Sequence, residues 1–432
     1  MSQMSKALRT LFPQVNMRKI LLVSLFLFGI FFRIGSTYLF PQPFVFDEWD
    51  YDDIARDIIA KKEYQTISAY NAYRTVGYPI ILAAVYYFFG RENQLAWVTL
   101  QAILDTMVAI FLFIIARRIF TSQVPAWMAF FIYLINPFTM PYVGLRLTEI
   151  MAIFFLVLVF LLNFQFLATK YPKLIVFLGF ALGYLPQVRP SFMLFCLTFM
   201  IFLIHKIGKV MEDSKYKKNI VLILFLVFFS LPLGFNLFRN LKYYHRFSFS
   251  TADNVFIKEL YISLFMEREY GTDLPPEVNM IHQEYSLAPD KEQIANKYKQ
   301  LIIENVKKDP SKFVLDRFKK IWYIWEKHQI FPYINLQDSR LISCIYWTNI
   351  GFLMMGLLGF FLYCKDKIIS RKKNWWFIYF SGFLFIYLSL VHSLTHASER
   401  FSIPAYPFIA LFAAYAIWRI LGRKSKTSFP HD

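Results

Sequence analysis

Ten predominantly apolar stretches recur along this chain, at 20–40, 95–116, 124–141, 148–168, 172–188, 190–206, 219–238, 342–363, 375–393 and 401–421. About 20 such residues cross the roughly 30 Å of hydrocarbon in a bilayer as a helix. In lipid the backbone must bond to itself, so repeated runs of this length confine the chain to a bundle of membrane helices. Composition agrees, because 57% of the residues are hydrophobic, whereas soluble domains lie near 45–50%. The expected fold is all-α: a multi-span helical bundle with about ten spans, interfacial helices and a small extracytoplasmic helical segment.

The net charge of +18 would suit a nucleic-acid binder, but its distribution excludes one. The basic residues fall between apolar runs: Arg117-Arg118, Lys170 with Lys173, Lys206 to Lys218, Lys365 to Lys373 and Arg419 to Lys426. That is the positive-inside pattern, which orients spans. The first span, preceded by Arg18-Lys19, reads as uncleaved. Cys196, Cys344 and Cys364 have neither zinc nor disulfide-framework spacing.

Tyr78–Gly90 is apolar but short, covering about 20 Å as a helix. If it stays on one side, the basic clusters all fall in the cytoplasm. It is therefore expected to be an interfacial or re-entrant helix on the outer face. The chain then divides into a membrane module over 1–238 with an outer catalytic loop at 41–94, an extracytoplasmic segment over 239–341 and a second membrane module over 342–432. Within 239–341, Asp290 is expected to cap a helix running to about Lys307, and Asp309-Pro310 to start another through Trp325. The aromatic and basic residues of the latter suit either a membrane surface or packing on the bundle. Arg33, at the outer end of the first span, is expected to snorkel.

This topology collects the remaining polar residues on the outer side. Phe46-Asp47-Glu48-Trp49-Asp50-Tyr51-Asp52-Asp53 follows the first span, and Arg74-Thr75-Val76-Gly77-Tyr78-Pro79 comes next. Asp47, Asp50 and Tyr51 share a face if the run is helical. A partly desolvated carboxylate there suits general-base work, while clustered carboxylates suit a divalent cation. Arg74 can pair with a phosphate or with the acidic run itself. Arg146 and Glu149 open one span; Glu149 suits either a cavity or a helix N-terminus. Arg189-Pro190 lies at a break between spans, and Arg239-Asn240 ends another. His392, His396, Glu399 and Arg400 form a second polar cluster. The two histidines are i, i+4 but lack a metalloprotease pattern, and Arg400 suits an anion. No glycine-rich nucleotide loop is evident.

These stretches resemble the GT-C superfamily of polyprenyl-phosphate-sugar-dependent glycosyltransferases, of the protein mannosyltransferase and lipid A aminoarabinose transferase type. The resemblance rests on Phe46-Asp47-Glu48 with Tyr51, Arg74 to Pro79, Leu147-Thr148-Glu149, Val188-Arg189-Pro190, Arg239-Asn240 and Glu399-Arg400-Phe401 with Pro404 and Pro407. It implies inverting transfer from a polyprenyl-phosphate-linked sugar to an acceptor lipid, glycan or protein. Asp47 would be the base and Glu149 would assist it. Glu48, Tyr51, Arg74, Tyr78, Arg189, Arg239, Asn240, His396, Glu399 and Arg400 would bind substrate. The family often places lysine near Arg74, so that role rests on position. No residue is assigned as a metal ligand, and help from a divalent metal stays open beside the base. Short loops point to a multi-pass bacterial inner (plasma) membrane protein with its site on the periplasmic or extracellular side; a lumen-facing reticulum enzyme would share the layout. A transporter or lipid-linked-glycan flippase is the alternative, and would place its ionisable residues near the midplane of broken helices. A lipid-linked-glycan polymerase or ligase would share the donor.

Overall fold

The computed structural model describes residues 17–44, 47–61, 74–91, 93–120, 122–210, 215–245, 247–250, 252–266, 275–334, 336–370 and 375–424. Phe46 and parts of the basic clusters at 206–218, 365–373 and 419–426 lie outside them. Within the described residues the regular elements are helices. They are α1 (Met17–Leu39), α2 (Asp47–Lys61), α3 (Gly77–Phe89), α4 (Gln94–Ile119), α5 (Val124–Leu134), α6 (Glu149–Thr169), α7 (Lys173–Val188), α8 (Met193–Val210) and α9 (Lys215–Tyr244). They continue as α10 (Ala252–Ile262), α11 (Pro276–Leu287), α12 (Lys291–Lys308), α13 (Pro310–Trp325), α14 (Ser339–Ser370), α15 (Trp375–Ser393) and α16 (Tyr406–Lys424). Short 3₁₀ turns at Met140–Gly144, Pro190–Phe192 and Glu399–Ala405 join some of them.

Among the described residues, 7 helices are long and apolar enough to cross a membrane. The chain is an all-α, multi-span membrane bundle. Three of the ten expected spans fall on helices whose described apolar part is shorter: Val23–Leu39, Val124–Leu134 and Lys173–Val188. The second stops at Leu134 for a local reason. The Asn136 side chain accepts from the amides of Phe138 (2.9 Å) and Thr139 (3.2 Å), a turn that competes with helix. α7 ends at Val188 because Arg189 precedes Pro190 and takes an extended conformation, as residues before proline do. Gly77–Phe89 is a separate helix of 13 residues, the length expected of it.

The core sits where α6, α15 and α16 meet. Phe160 packs against Phe408 at 4.7 Å and against Phe377 at 5.8 Å. Small residues let helices touch by their backbones. A Cβ on Gly359 would collide with the main chain of Phe412, and one on Gly183 with the main chain of Phe229. Large side chains such as Phe31, Ile223 and Phe361 are exposed on the outside of the bundle, as a lipid-facing surface requires.

Arg33 does not snorkel. It is fully buried, with Nε 2.6 Å from Asp105 Oδ2 and Nη1 3.2 Å from the Leu134 carbonyl. Tyr133 donates its hydroxyl to the other Asp105 oxygen. A partner carboxylate on α4 makes burial cheaper than stretching to the interface, and the pair pins α1 to the bundle.

α9 runs through Tyr244, across residue 238. Beyond it, α10, α11 and α12 close a second small core around Ile262, Val278, Ile281 and Tyr298. Asp290 caps α12 by accepting from Glu292 and Gln293 amides, and Asp309 caps α13 through Lys312, as expected of those residues. α13 uses two faces. Trp325 Nε1 donates to Ser389 Oγ at 2.8 Å and Arg317 donates to the Ser393 carbonyl at 3.1 Å. Phe318 and Trp322 stay exposed on the other side.

Candidate active site

α2 begins at Asp47 with three acids in its first turn, Asp47, Glu48 and Asp50, where the helix dipole favours negative charge. Helical spacing turns Asp47, Asp50 and Tyr51 toward one point, and Arg74 occupies it. Arg74 donates to Asp47 Oδ1, to Asp50 Oδ2 at 3.0 Å and to the Tyr51 hydroxyl at 3.2 Å. Its position is set from behind. Arg239 donates to the Arg74 carbonyl at 3.2 Å, and Gly77 lies so close to Gln187 that a Cβ would meet it at 2.6 Å.

The second oxygen of Asp47 faces the far end of the chain. Arg400, in the 3₁₀ turn before α16, places Nη1 2.8 Å from Asp47 Oδ2. Asp47 is thus held between two guanidinium groups. Burial pushes its pKa up, but Arg74 and then Arg400 outweigh that and hold it well below the usual carboxylate range. Asp50 differs: burial dominates, Arg74 offsets only part of it, and its pKa is raised.

A second pair stands alongside. Arg189 Nη1 lies 3.3 Å from Glu149 Oε1, at the first residue of α6. Glu149 Oε2 is buried without a hydrogen-bond partner among the described residues. The Arg189 guanidinium lies 5.6 Å from the centre of the Phe401 ring, and His392 stacks on that ring at 4.2 Å. α15 ends at Ser393, so His392 and His396 lose the helical register that would aim both at one ion. His396 turns instead to Glu259, with Nδ1 3.1 Å from Oε2. Among the described residues no group of three or more His, Cys, Asp or Glu side chains stands where it could hold a metal ion.

These groups surround one cavity of about 690 Å³, lined by Asp47, Tyr51, Arg74, Glu149, Arg189 and Arg400 among others. α10 closes it with Glu259 and apolar residues, joined by His282 and His396. Five residues named from sequence do not line it. Glu48 accepts from the Arg146 amide at 2.8 Å and ties α2 to the start of α6. Tyr78 is fully buried beneath Tyr51, ring centres 4.8 Å apart. Arg239 braces Arg74 from outside. Asn240 donates to the Ser248 and Phe249 carbonyls at 2.8 and 3.0 Å, closing the turn after α9. Glu399 accepts from the His328 amide at 3.3 Å. Lys258, Glu259 and His282 carry no local signal in the sequence, because their meeting depends on how α10 and α11 fold back over the bundle.

Comparison with known proteins adds four findings. The chain is similar to ArnT from Cupriavidus metallidurans in the apo state, at 13% identity and a TM-score of 0.48, over 94% of this chain and 61% of that one. It is also similar to ArnT from the same organism bound to undecaprenyl phosphate, at 13% identity and a TM-score of 0.39, over 96% of this chain and 81% of that one. The chain thus spans less than two thirds of the first of these structures. No curated protein matches it. A family profile described as GPI transamidase subunit PIG-U matches residues 53–280, just over half of the 432 residues, and the chain therefore belongs to the PIG-U family.

Proposed function

We propose that this protein is a membrane glycosyltransferase that moves a sugar from a polyprenyl-phosphate donor to an acceptor hydroxyl on the extracytoplasmic face, with inversion and with Asp47 as general base. One observation carries the reading: a carboxylate clasped by two arginines, Arg74 and Arg400, beside a cavity at the ends of membrane helices. Two guanidinium groups suit a lipid phosphate by shape and charge. On this reading about ten spans, the shorter helices included, carry the site on the outer leaflet of a plasma membrane.

The donor phosphate takes over guanidinium donors that Asp47 holds in its absence. Their charge stabilises the phosphate as it leaves. The bond from the anomeric carbon to the phosphate oxygen breaks, and its electron pair stays on phosphate. The acceptor oxygen bonds to the same carbon from the opposite face and gives its proton to Asp47. Losing its cationic partners raises the proton affinity of Asp47 at the moment a base is needed. Glu149, with one oxygen unpartnered, assists from the second pair, and Arg189, Tyr51 and His396 complete the binding surface. Glu48, Tyr78, Arg239, Asn240 and Glu399 act by positioning these groups. Two arginines supply the neutralisation that a divalent metal would otherwise bring.

Family membership favours a second reading, a subunit of a transamidase-type assembly that holds a lipid-linked group in the same cavity. The matched stretch, 53–280, begins after Asp47 and ends before Arg400. Transfer of radiolabelled sugar from membrane lipid in vesicles separates the two. The enzyme reading expects transfer with the protein alone and its loss in Asp47→Asn with the fold intact. Lipid binding without transfer by the wild-type protein supports the subunit reading.

A further inference from the structure

The cavity has a second group of polar side chains, of which the proposed donor chemistry uses only His396. Lys258 Nζ stands 2.9 Å from Glu259 Oε1 and 3.3 Å from His282 Nδ1. His396 Nδ1 stands 3.1 Å from Glu259 Oε2. Four ionisable side chains from α10, α11 and the loop after α15 thus form one chain of contacts, and Glu259, His282 and His396 of these line the cavity. Val255, Phe256 and Ile262, from the same helix as Glu259, line it too. The same cavity is lined by Arg74, Arg189 and Arg400, and the two groups meet at Phe401, whose ring centre lies 6.1 Å from that of His396 and 5.6 Å from the Arg400 guanidinium. The arginines pair with Asp47 and Glu149, whereas Glu259, His282 and His396 are hydrogen-bonding groups set among apolar residues.

The chemistry of this second group is specific. Glu259 is held ionised, because Lys258 and His396 outweigh the burial that would otherwise raise its pKa. A carboxylate accepts hydrogen bonds from hydroxyls, and imidazoles both donate and accept. A second anion is disfavoured beside Glu259. An ammonium group is disfavoured by Lys258, whose charge already serves Glu259 and sits 5.3 Å from the Tyr285 ring centre. Neutral polyols fit, since apolar side chains cover their C–H faces while Glu259 and the imidazoles bind their hydroxyls.

We infer that the Glu259–His282–His396 wall is the acceptor subsite and takes a neutral, hydroxyl-bearing group of the sugar or polyol class; this rests on the glycosyl-transfer reading. The subsite sets which hydroxyl is presented toward Asp47, so Glu259 is a specificity-determining residue.

The test uses the full chain in nanodiscs. Cys196 is buried, whereas Cys344 is exposed and Cys364 half-buried, so the latter two are replaced by serine. Phe256→Cys then reports the wall through its rate of maleimide labelling. Octyl glucoside is expected to slow labelling, while octylamine and octyl phosphate at equal concentration are not. Glu259→Gln and, separately, His282→Gln are expected to weaken the octyl glucoside effect by about tenfold, the scale of one hydrogen bond to a charged group. Binding of undecaprenyl phosphate is measured in parallel and is expected to stay unchanged in both variants. If octyl glucoside gives no protection while undecaprenyl phosphate binds through Arg74 and Arg400, the acceptor subsite is wrong and the donor reading survives. If undecaprenyl phosphate binding ignores Arg74 and Arg400, the donor reading fails. Equal protection by all three octyl compounds marks a merely greasy pocket and overturns the inference. Melting curves of each variant show that it is folded.

Discussion

Arg239, near the end of α9, donates to the main-chain carbonyl of Arg74 at 3.2 Å. A buried cation thereby fixes the backbone of the residue whose side chain grips Asp47. Replacing Arg239 by Met should weaken undecaprenyl phosphate binding about tenfold and destabilise the fold by about 1–3 kcal/mol, the range for a hydrogen bond to a charged group. Paired binding and thermal unfolding measurements check this. Loss of stability with unchanged binding would make Arg239 a fold residue only.

Asp47→Asn should separate chemistry from binding. Transfer is expected to fall by about 10²–10⁴, the usual range for a lost general base. Binding of undecaprenyl phosphate should hold or tighten, because Arg74 and Arg400 no longer serve a competing carboxylate. A parallel fall in both would show that Asp47 is needed to position the arginines.

Acid should act through Asp47 and Glu259. Both carboxyls titrate below their ordinary range in the folded protein. In the unfolded chain they titrate at about 3.9 and 4.3. Their contribution to stability is therefore complete above about pH 5 and drains away as pH falls toward the folded values. The share of the melting temperature that these two carboxyls carry should be constant from pH 7 to 5 and drop below 4. Glu259→Gln should flatten that drop; an unchanged slope argues against the ion pair.

Alkali should act through Lys327. Its ammonium donates to the Glu399 carbonyl (2.6 Å) and to Ser402 Oγ (2.9 Å), yet burial pulls its pKa down to about 8, against the pull of Glu399 and Glu326. A lysine whose folded pKa is lowered costs stability below that value. The cost is relieved between about pH 8 and the ordinary 10.5, where only the unfolded chain still binds the proton. The wild-type melting temperature should rise over that window relative to Lys327→Met.

Gly359→Ala should separate α14 from α16, since the new Cβ meets the Phe412 main chain. Backbone cannot yield as a side chain tip can. A loss of about 1–3 kcal/mol is expected for such overpacking, read as reduced yield of folded protein in detergent. Gly351→Ala on the same helix, with open space around it, is the control and should be silent.

Apolar run length made the bundle legible in the sequence, and the caps at Asp290 and Asp309 followed from local chemistry. Span number was less legible. Hydropathy does not register that Asn136 folds its own side chain into a turn, whereas the end of α7 before Arg189-Pro190 was legible from the proline. Arg33 was misread because its partner, Asp105, lies on another helix. In the site, Asp47 and Arg74 were readable from their spacing on one helix and its neighbouring loop. The Glu259 wall was not, because Lys258, Glu259 and His282 look like ordinary charges on amphipathic helices until the chain folds over the cavity.

The clasp on Asp47 draws one arginine from near each end of the chain. Asp47 and Arg74 leave the ribosome early, whereas Arg400 follows only after α15. During biosynthesis the early membrane helices must therefore settle with Asp47 only half neutralised. A chain cut short before Glu399 would keep most of its span-forming helices and still lack a closed site, so quality control that recognises exposed charge at the membrane edge would have a long interval in which to act.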